Sequence, residues 1–204
     1  MNALTLRTWL TWLFNPFVYV AGGRALGLGL AAILAAGAAS LPARTHLDGV
    51  LDLHSGGRAP VWFILSEGFV DWLCLALVLL LCGKLVSRTS FRLVDLFGTQ
   101  ALARWPTIWM VLLTLPPAYR DYVRELLAQL TRNPLQLLVI TPEAIYFFAA
   151  SILMLPLLVW MIALMYNAYA VSCHVRGLRA GLSFTAGLIL AEILSKFAIY
   201  ALRG

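Results

Sequence analysis

Long apolar runs, separated by short polar segments, dominate the pattern of hydrophobic and polar positions along this chain. An α-helix needs roughly 20 mostly apolar residues to cross the hydrocarbon core of a bilayer, and five runs reach or approach that length. They cover residues 18–42, 61–83, 105–119, 142–171 and 181–202. The pattern therefore predicts an all-α membrane protein, a single domain over residues 1–204 built as a bundle of five transmembrane helices. The runs are too uniformly apolar for the alternating strands of a membrane barrel.

Three other segments are amphipathic or basic. Residues 3–14 carry Trp9 and Trp12 on a short helical pattern, which predicts an N-terminal interfacial amphipathic helix. Residues 119–130 place apolar side chains on one helical face. Residues 83–106 hold four basic residues against one acid, so we predict a cytoplasmic segment that contains an amphipathic helix.

Local signals add detail to the predicted spans. Residues 26–40 are crowded with Gly and Ala, and small residues allow the close backbone approach by which helices pack in lipid. We therefore expect the first span to pack centrally. Thr141 is a favourable N-cap, and Pro142 suits the first helical position. The span that follows is about 45 Å long, which exceeds the bilayer core, and Pro156 is expected to kink it.

The composition excludes a soluble globular domain. Of 204 residues, 62% are hydrophobic and only 12% are charged, which leaves too few charges to cover that much apolar surface. The net charge of +6 is spread without a dense basic run, so we expect no nucleic-acid partner. The expected partner is the lipid bilayer, while a protein partner of unknown identity and a homo-oligomer stay open.

The distribution of lysine and arginine predicts the orientation. With the N-terminus inside, the inside segments carry eight basic residues: Arg7, Arg24, Lys84, Arg88, Arg92, Arg104, Arg176 and Arg179. The outside segments carry six: Arg44, Arg58, Arg120, Arg124, Arg132 and Arg203. This excess predicts a cytoplasmic N-terminus. Arginine far outnumbers lysine, which indicates a GC-rich bacterial genome and hence a multi-pass protein of the bacterial inner membrane.

Four charged residues lie inside predicted spans and form the candidate site. Glu67 and Asp71 are one helical turn apart on the second span, and Glu192 and Lys196 are one turn apart on the fifth. If these spans are antiparallel, Glu67 and Lys196 lie at equal depth, roughly 10 Å from the outer edge, and Asp71 and Glu192 lie at roughly 16 Å. The sequence therefore predicts one buried cluster of three acids and one base. Three acids beside one base cannot all stay ionised at a low dielectric constant, so at least one is expected to be protonated.

Two interpretations of this cluster stay open. It is either an ion-pair clasp between the second and fifth helices or a site that handles protons or cations. The clasp suits a non-enzymatic scaffold that organises the membrane or binds a partner. The second interpretation suits a small proton- or cation-coupled transporter or channel. We expect no enzyme activity, no catalytic residue and no cofactor, because no nucleophile stands beside a plausible base and no P-loop or dinucleotide motif occurs.

The loop before the second span holds a weaker signal. His46, Asp48, Asp52 and His54 are spaced almost symmetrically. Imidazole and carboxylate groups together can bind zinc. A solvated polar loop is the favoured interpretation, and no metal site is predicted.

Three stretches carry a resemblance to a known family. They are "NPF" at 15–17, "FRLVDLFGTQALARWP" at 91–106 and "LMYNAYAVSCHVRGLRAGLSFTAGLILAEILSK" at 164–196. Together they resemble bacterial members of the Yip-domain family of integral membrane proteins. The resemblance implies a bundle of five spans with a cytoplasmic N-terminus. Eukaryotic members bind Rab-type small GTPases and act in vesicle traffic and membrane shaping, whereas for bacterial members the resemblance implies no settled activity.

Overall fold

The computed structural model describes residues 3–132 and 140–203, most of them in α-helices. In chain order the helices are α1 (Ala3–Phe14), α2 (Gly22–Ala43), α3 (Val61–Val86), α4 (Leu93–Ala103), α5 (Thr107–Thr114), α6 (Pro117–Arg132), α7 (Pro142–Ser172) and α8 (Gly177–Arg203). A 3₁₀ turn over Pro16–Val18 connects α1 to α2. Between α2 and α3, the short antiparallel strands β1 (Thr45–His46) and β2 (His54–Ser55) form a hairpin.

Four of these helices, α2, α3, α7 and α8, are long and apolar enough to cross a membrane. They contain 22, 26, 31 and 27 residues, whereas a bilayer core needs roughly 20. At this level the prediction of an all-α, multi-pass membrane protein is confirmed. Thr141 caps α7 as predicted, because its side-chain oxygen accepts a hydrogen bond from the Ala144 N–H at 3.2 Å. Pro156 lies inside α7, and a kink there stays a prediction.

The segment predicted as the third span differs from the prediction. Residues 105–119 do not form one helix, because α5 contains only eight residues and is about 12 Å long at 1.5 Å per residue. A turn with Pro106 separates α5 from α4, and α6 begins at Pro117. Proline lacks the N–H that would continue the helical hydrogen bonding. The range 105–119 is therefore a broken helical segment and not a single span.

The segment predicted to be basic and cytoplasmic also differs, because α4 belongs to the core. Its residues Leu96 and Ala101 are fully buried. A Cβ atom on Gly29 of α2 would collide with the α4 backbone at Ala101, and one on Gly98 of α4 would collide with the α2 backbone at Gly22. The Gly- and Ala-rich part of α2 thus packs centrally, as predicted, and the helix against which it packs most closely is α4.

The bundle has two ends that differ in their connections. The hairpin end consists of residues 44–60 and the neighbouring last turns of α8. The arginine end consists of residues 84–92, which follow α3, and residues 173–179, which connect α7 to α8. Between the two ends lies an apolar core of α3, α7 and α8, in which side chains such as Leu79 and Leu164 are fully buried.

Candidate functional site

α3 places both of its acids inside the bundle. Glu67 is 1% exposed and Asp71 is 0% exposed, although carboxylates are almost never fully buried without partners. The face of α3 that carries Leu73, Leu77 and Leu81 is exposed instead. One apolar face of α3 is thus exposed, whereas both acids lie on the face that is buried in the bundle.

Glu67 is closed off by the hairpin end. Its Oε1 lies 2.7 Å from His46 Nδ1, and its Oε2 accepts a hydrogen bond from the Leu47 N–H at 3.0 Å. The side chains of His46 and Glu67 are each 1% exposed. Both carboxylate oxygens therefore have partners from the segment that begins with β1.

The second ring nitrogen of His46 limits where its protons lie. Nε2 is 3.1 Å from the carbonyl oxygen of Gly57, which can only accept, so Nε2 carries a hydrogen. The short contact between Nδ1 and Glu67 needs one further hydrogen, either on the imidazole or on the carboxyl group. The hydrogen bond to Glu67 raises the pKa of His46 above its usual value, against the opposing effect of burial. The folded protein therefore favours the imidazolium form more than an ordinary histidine does.

Asp71 is paired with an arginine from the break between α4 and α5. Arg104 is 3% exposed, and its Nη2 donates a hydrogen bond to Asp71 Oδ2 at 3.2 Å. Its Nη1 donates a hydrogen bond to the carbonyl oxygen of Val50 at 3.2 Å. The other oxygen of Asp71, Oδ1, is buried without a hydrogen-bond partner.

The charges of α8 form a more open group. Lys196 Nζ lies 2.6 Å from Asp52 Oδ2 and 3.3 Å from Glu192 Oε1. Glu192 Oε2 accepts a hydrogen bond from the Leu51 N–H at 2.9 Å. The Lys196 side chain is 47% exposed and that of Glu192 is 21% exposed. Because these side chains are partly solvated, their pairing stabilises the fold less than a buried pair of equal geometry.

One segment, residues 46–57, contacts all four predicted site residues or their partners. The His46 imidazole and the Leu47 N–H contact Glu67. The Val50 carbonyl oxygen accepts a hydrogen bond from Arg104. The Leu51 N–H donates to Glu192, and the Asp52 carboxylate pairs with Lys196. These contacts come from seven consecutive residues, 46–52. The hairpin end is therefore a cap over the charged groups, held to three different helical segments.

The four predicted site residues are thus divided among three groups. Glu192 and Lys196 lie together, as their spacing on one helix requires. Glu67 and Lys196, placed at equal depth by the sequence, have His46 and Asp52 as their respective partners. Asp71 has Arg104. The charges thereby connect α3 and α8 through the hairpin end and not by a direct pair between the two helices.

The loop residues considered for zinc have other partners. His46 contacts Glu67, Asp52 contacts Lys196, and His54 Nδ1 lies 2.9 Å from Asp48 Oδ1. The two imidazole rings stack, with centroids 5.5 Å apart. Among residues 3–132 and 140–203, no group of three or more His, Cys, Asp or Glu side chains is placed to hold a metal ion.

Two residues of the site were not predicted from the sequence. Arg104 was counted among the cytoplasmic charges, and His46 was considered only as a possible metal ligand. A signal for Arg104 exists in the sequence, since it is the only charge between Asp95 and Arg120. An isolated charge in a long apolar segment indicates a buried partner.

Comparisons with known proteins identify no relative: no family model, no curated protein and no solved structure matches this chain.

Proposed function

We propose that this protein is a non-enzymatic scaffold of the membrane, in which the buried charges act as a structural clasp. The observation that carries this proposal is the closure of Asp71, which is 0% exposed and pairs with the buried Arg104. Glu67 is equally closed, by His46 and by the Leu47 amide. A group that handles ions must exchange them with water, and this arrangement does not favour that exchange.

The proposal includes a fifth crossing, made by α4 and α5 together. Gly98 of α4 packs at the start of α2, near Gly22, and Val111 of α5 packs in the cluster at the end of α2. Thr114 Oγ1 lies 2.7 Å from Thr45 Oγ1, just beyond α2. The two short helices thus accompany α2 along its length and run in the same direction as α2. If α2 crosses the bilayer, then α4 and α5 cross it as one broken segment.

We further propose that the arginine end faces the cytoplasm of a bacterial cell. With Arg104 assigned to the buried pair, seven of the basic residues counted as inside remain there, against six outside. A reporter fused after Arg203 tests this orientation: we expect activity only from a reporter that works outside the cytoplasm. Activity from a cytoplasmic reporter alone would reverse the assignment.

The proposed function follows the resemblance to Yip-domain proteins, which stays a prediction. A membrane-organising role, a protein partner and a homo-oligomer are all compatible with the exposed apolar faces of α7 and α8. Large side chains on these faces, such as Ile152, Val159, Ile189 and Phe197, are 59% exposed or more. In a membrane these faces contact lipid or another helix.

The deciding experiment is reconstitution into vesicles that contain a pH-sensitive dye. We expect wild-type protein to give no proton flux above protein-free vesicles. The Glu67→Gln variant should give none either, while its thermal stability falls. A wild-type flux that disappears in a stably folded Glu67→Gln variant would favour the transporter and would overturn the clasp. Fluxes of sodium and potassium, measured with ion-selective dyes, extend the same comparison to cations.

A further inference from the structure

A cleft of about 200 Å³ opens at the arginine end. Arg88 and Thr89 line it from the segment after α3, and His174, Arg176 and Arg179 line it from the connection between α7 and α8. Three arginines thus line one small cavity. Guanidinium groups bind phosphate oxygens through paired, directional hydrogen bonds.

Within the described residues, these arginines form no ion pair with an acid. None of the ion pairs found within residues 3–132 and 140–203 involves Arg88, Arg176 or Arg179. Asp95, the nearest acid in the sequence at this end, lies 4.0 Å from Arg92 instead. Like charges that line one cavity repel one another, and a bound anion relieves that repulsion.

The backbone contributes to the same cleft. α8 begins at Gly177, directly after Arg176, and has no acidic residue in its first turn. The first N–H groups of a helix lack partners within the helix and attract anions. In this 27-residue helix they lie next to the arginine side chains.

We propose that this cleft binds the phosphate of an anionic phospholipid headgroup. It lies where α3 and α7 end and α8 begins, which is the headgroup level of a bilayer that these three helices cross. A second cavity of about 670 Å³, lined by Asn15, Tyr166 and Asn167, shares His174 and Arg176 with the cleft. A headgroup with its phosphate in the cleft can extend into this neighbouring space. The inference depends on the spanning helices and is independent of whether the buried charges act as a clasp.

The test is lipid binding to the full-length protein in neutral detergent, measured by native mass spectrometry. Phosphatidylglycerol, phosphatidylcholine and inorganic phosphate are titrated separately. The test variant is Arg176→Gln/Arg179→Gln. The matched control is Arg24→Gln/Lys84→Gln, which removes two positive charges at the same end but outside the cleft. A third variant, Arg176→Lys/Arg179→Lys, keeps the charge and removes the guanidinium geometry.

We expect wild type to bind phosphatidylglycerol more tightly than phosphatidylcholine. We expect the Gln test variant to bind phosphatidylglycerol about 30-fold more weakly than wild type does. The control should change binding less than threefold, and inorganic phosphate at the same concentration should not displace the lipid. If the test and control variants lose phosphatidylglycerol affinity equally, the binding depends on diffuse surface charge and the proposal is overturned. Displacement by inorganic phosphate would assign the cleft to a soluble anion. If the Gln variant does not fold, the Lys variant provides the test. Because it keeps the charge and removes the guanidinium groups, wild-type affinity for phosphatidylglycerol in the Lys variant would show that guanidinium geometry is not needed and would overturn the proposal.

Discussion

The two ends of the bundle use charge in opposite ways. At the hairpin end, Glu67, Asp52 and Glu192 each have a basic partner. The deepest charges, Asp71 and Arg104, pair with each other and are 0% and 3% exposed. At the arginine end, three arginines line an open cleft, and none of the ion pairs among the described residues involves them. Charges that are paired and buried hold the fold and are costly to change. Charges that are unpaired and exposed contribute little to the fold and are available to something outside it. Substitutions should therefore affect stability at one end and binding at the other.

The largest effect is expected from breaking the Asp71–Arg104 pair. Arg104→Met leaves a buried carboxylate without its cation, which costs about 3–5 kcal/mol and should lower the melting temperature in detergent by about 10 °C or more. Asp71→Asn should be nearly as damaging, because it leaves the guanidinium buried alone. Differential scanning fluorimetry of the purified variants measures both.

The double variant Asp71→Leu/Arg104→Met provides the control for this pair. Replacing a whole buried pair by apolar groups is often close to neutral, so the double variant should recover most of the loss. Single variants that melt like wild type would show that the pair does not hold the fold. The contrast between the two ends would then disappear.

The next effect concerns which residues act together at the hairpin end. Glu67→Gln and His46→Gln should each cost about 1.5–3 kcal/mol, as expected for a charge-assisted hydrogen bond. Their double variant should cost much less than the sum, because both remove the same contact. Glu67→Gln combined with Lys196→Met should instead be additive within about 0.5 kcal/mol, since these two residues have separate partners. Strong coupling between Glu67 and Lys196 would restore the direct helix-to-helix clasp and contradict the observed pairing.

A smaller effect is expected from pH. Because the folded state raises the pKa of His46, its contribution to stability is complete below about pH 6.5, the pKa of an unfolded histidine. That contribution is lost as the pH rises through the raised pKa. The melting temperature of wild type should therefore fall by a few degrees between about pH 6 and about pH 9. His46→Gln should flatten this decline, whereas His54→Gln, a more exposed histidine that stacks on His46, should preserve it. A decline of equal size in His46→Gln would assign the pH dependence to other groups.

The sequence predicts the spanning helices more readily than it predicts the partners of the buried charges, for a physical reason. A spanning helix must be apolar over a length set by the bilayer, so its signal is local and can be read directly. The partner of a buried charge depends on how distant segments fold against it. Glu67 and His46 are 21 residues apart, and Asp71 and Arg104 are 33 apart. Equal depth on two antiparallel helices suggested Lys196 as the partner of Glu67, but the intervening hairpin lies closer.

The broken segment of α4 and α5 shows the same limit. Pro106, Pro116 and Pro117 correctly indicate where the helical segment is interrupted, yet they do not show that α4 lies inside the bundle. That placement depends on Gly29 and Gly98, whose missing side chains let two backbones meet. Small residues signal close packing in the sequence without naming the helix against which they pack.

The smallest stability effect is expected at the arginine end, and it completes the contrast. Arg176→Gln/Arg179→Gln removes two exposed, unpaired charges, and such surface changes usually alter stability by no more than about 0.5 kcal/mol each. In neutral detergent this variant should melt within about 3 °C of wild type. The melting temperature of the variant should even rise slightly, because like charges around one cleft repel one another in wild type. Added phosphatidylglycerol should raise the melting temperature of wild type and leave that of the variant unchanged, since a ligand stabilises only the protein that binds it. A variant that loses as much stability as Arg104→Met would place the arginines in the fold itself, and both ends would then use charge in the same way.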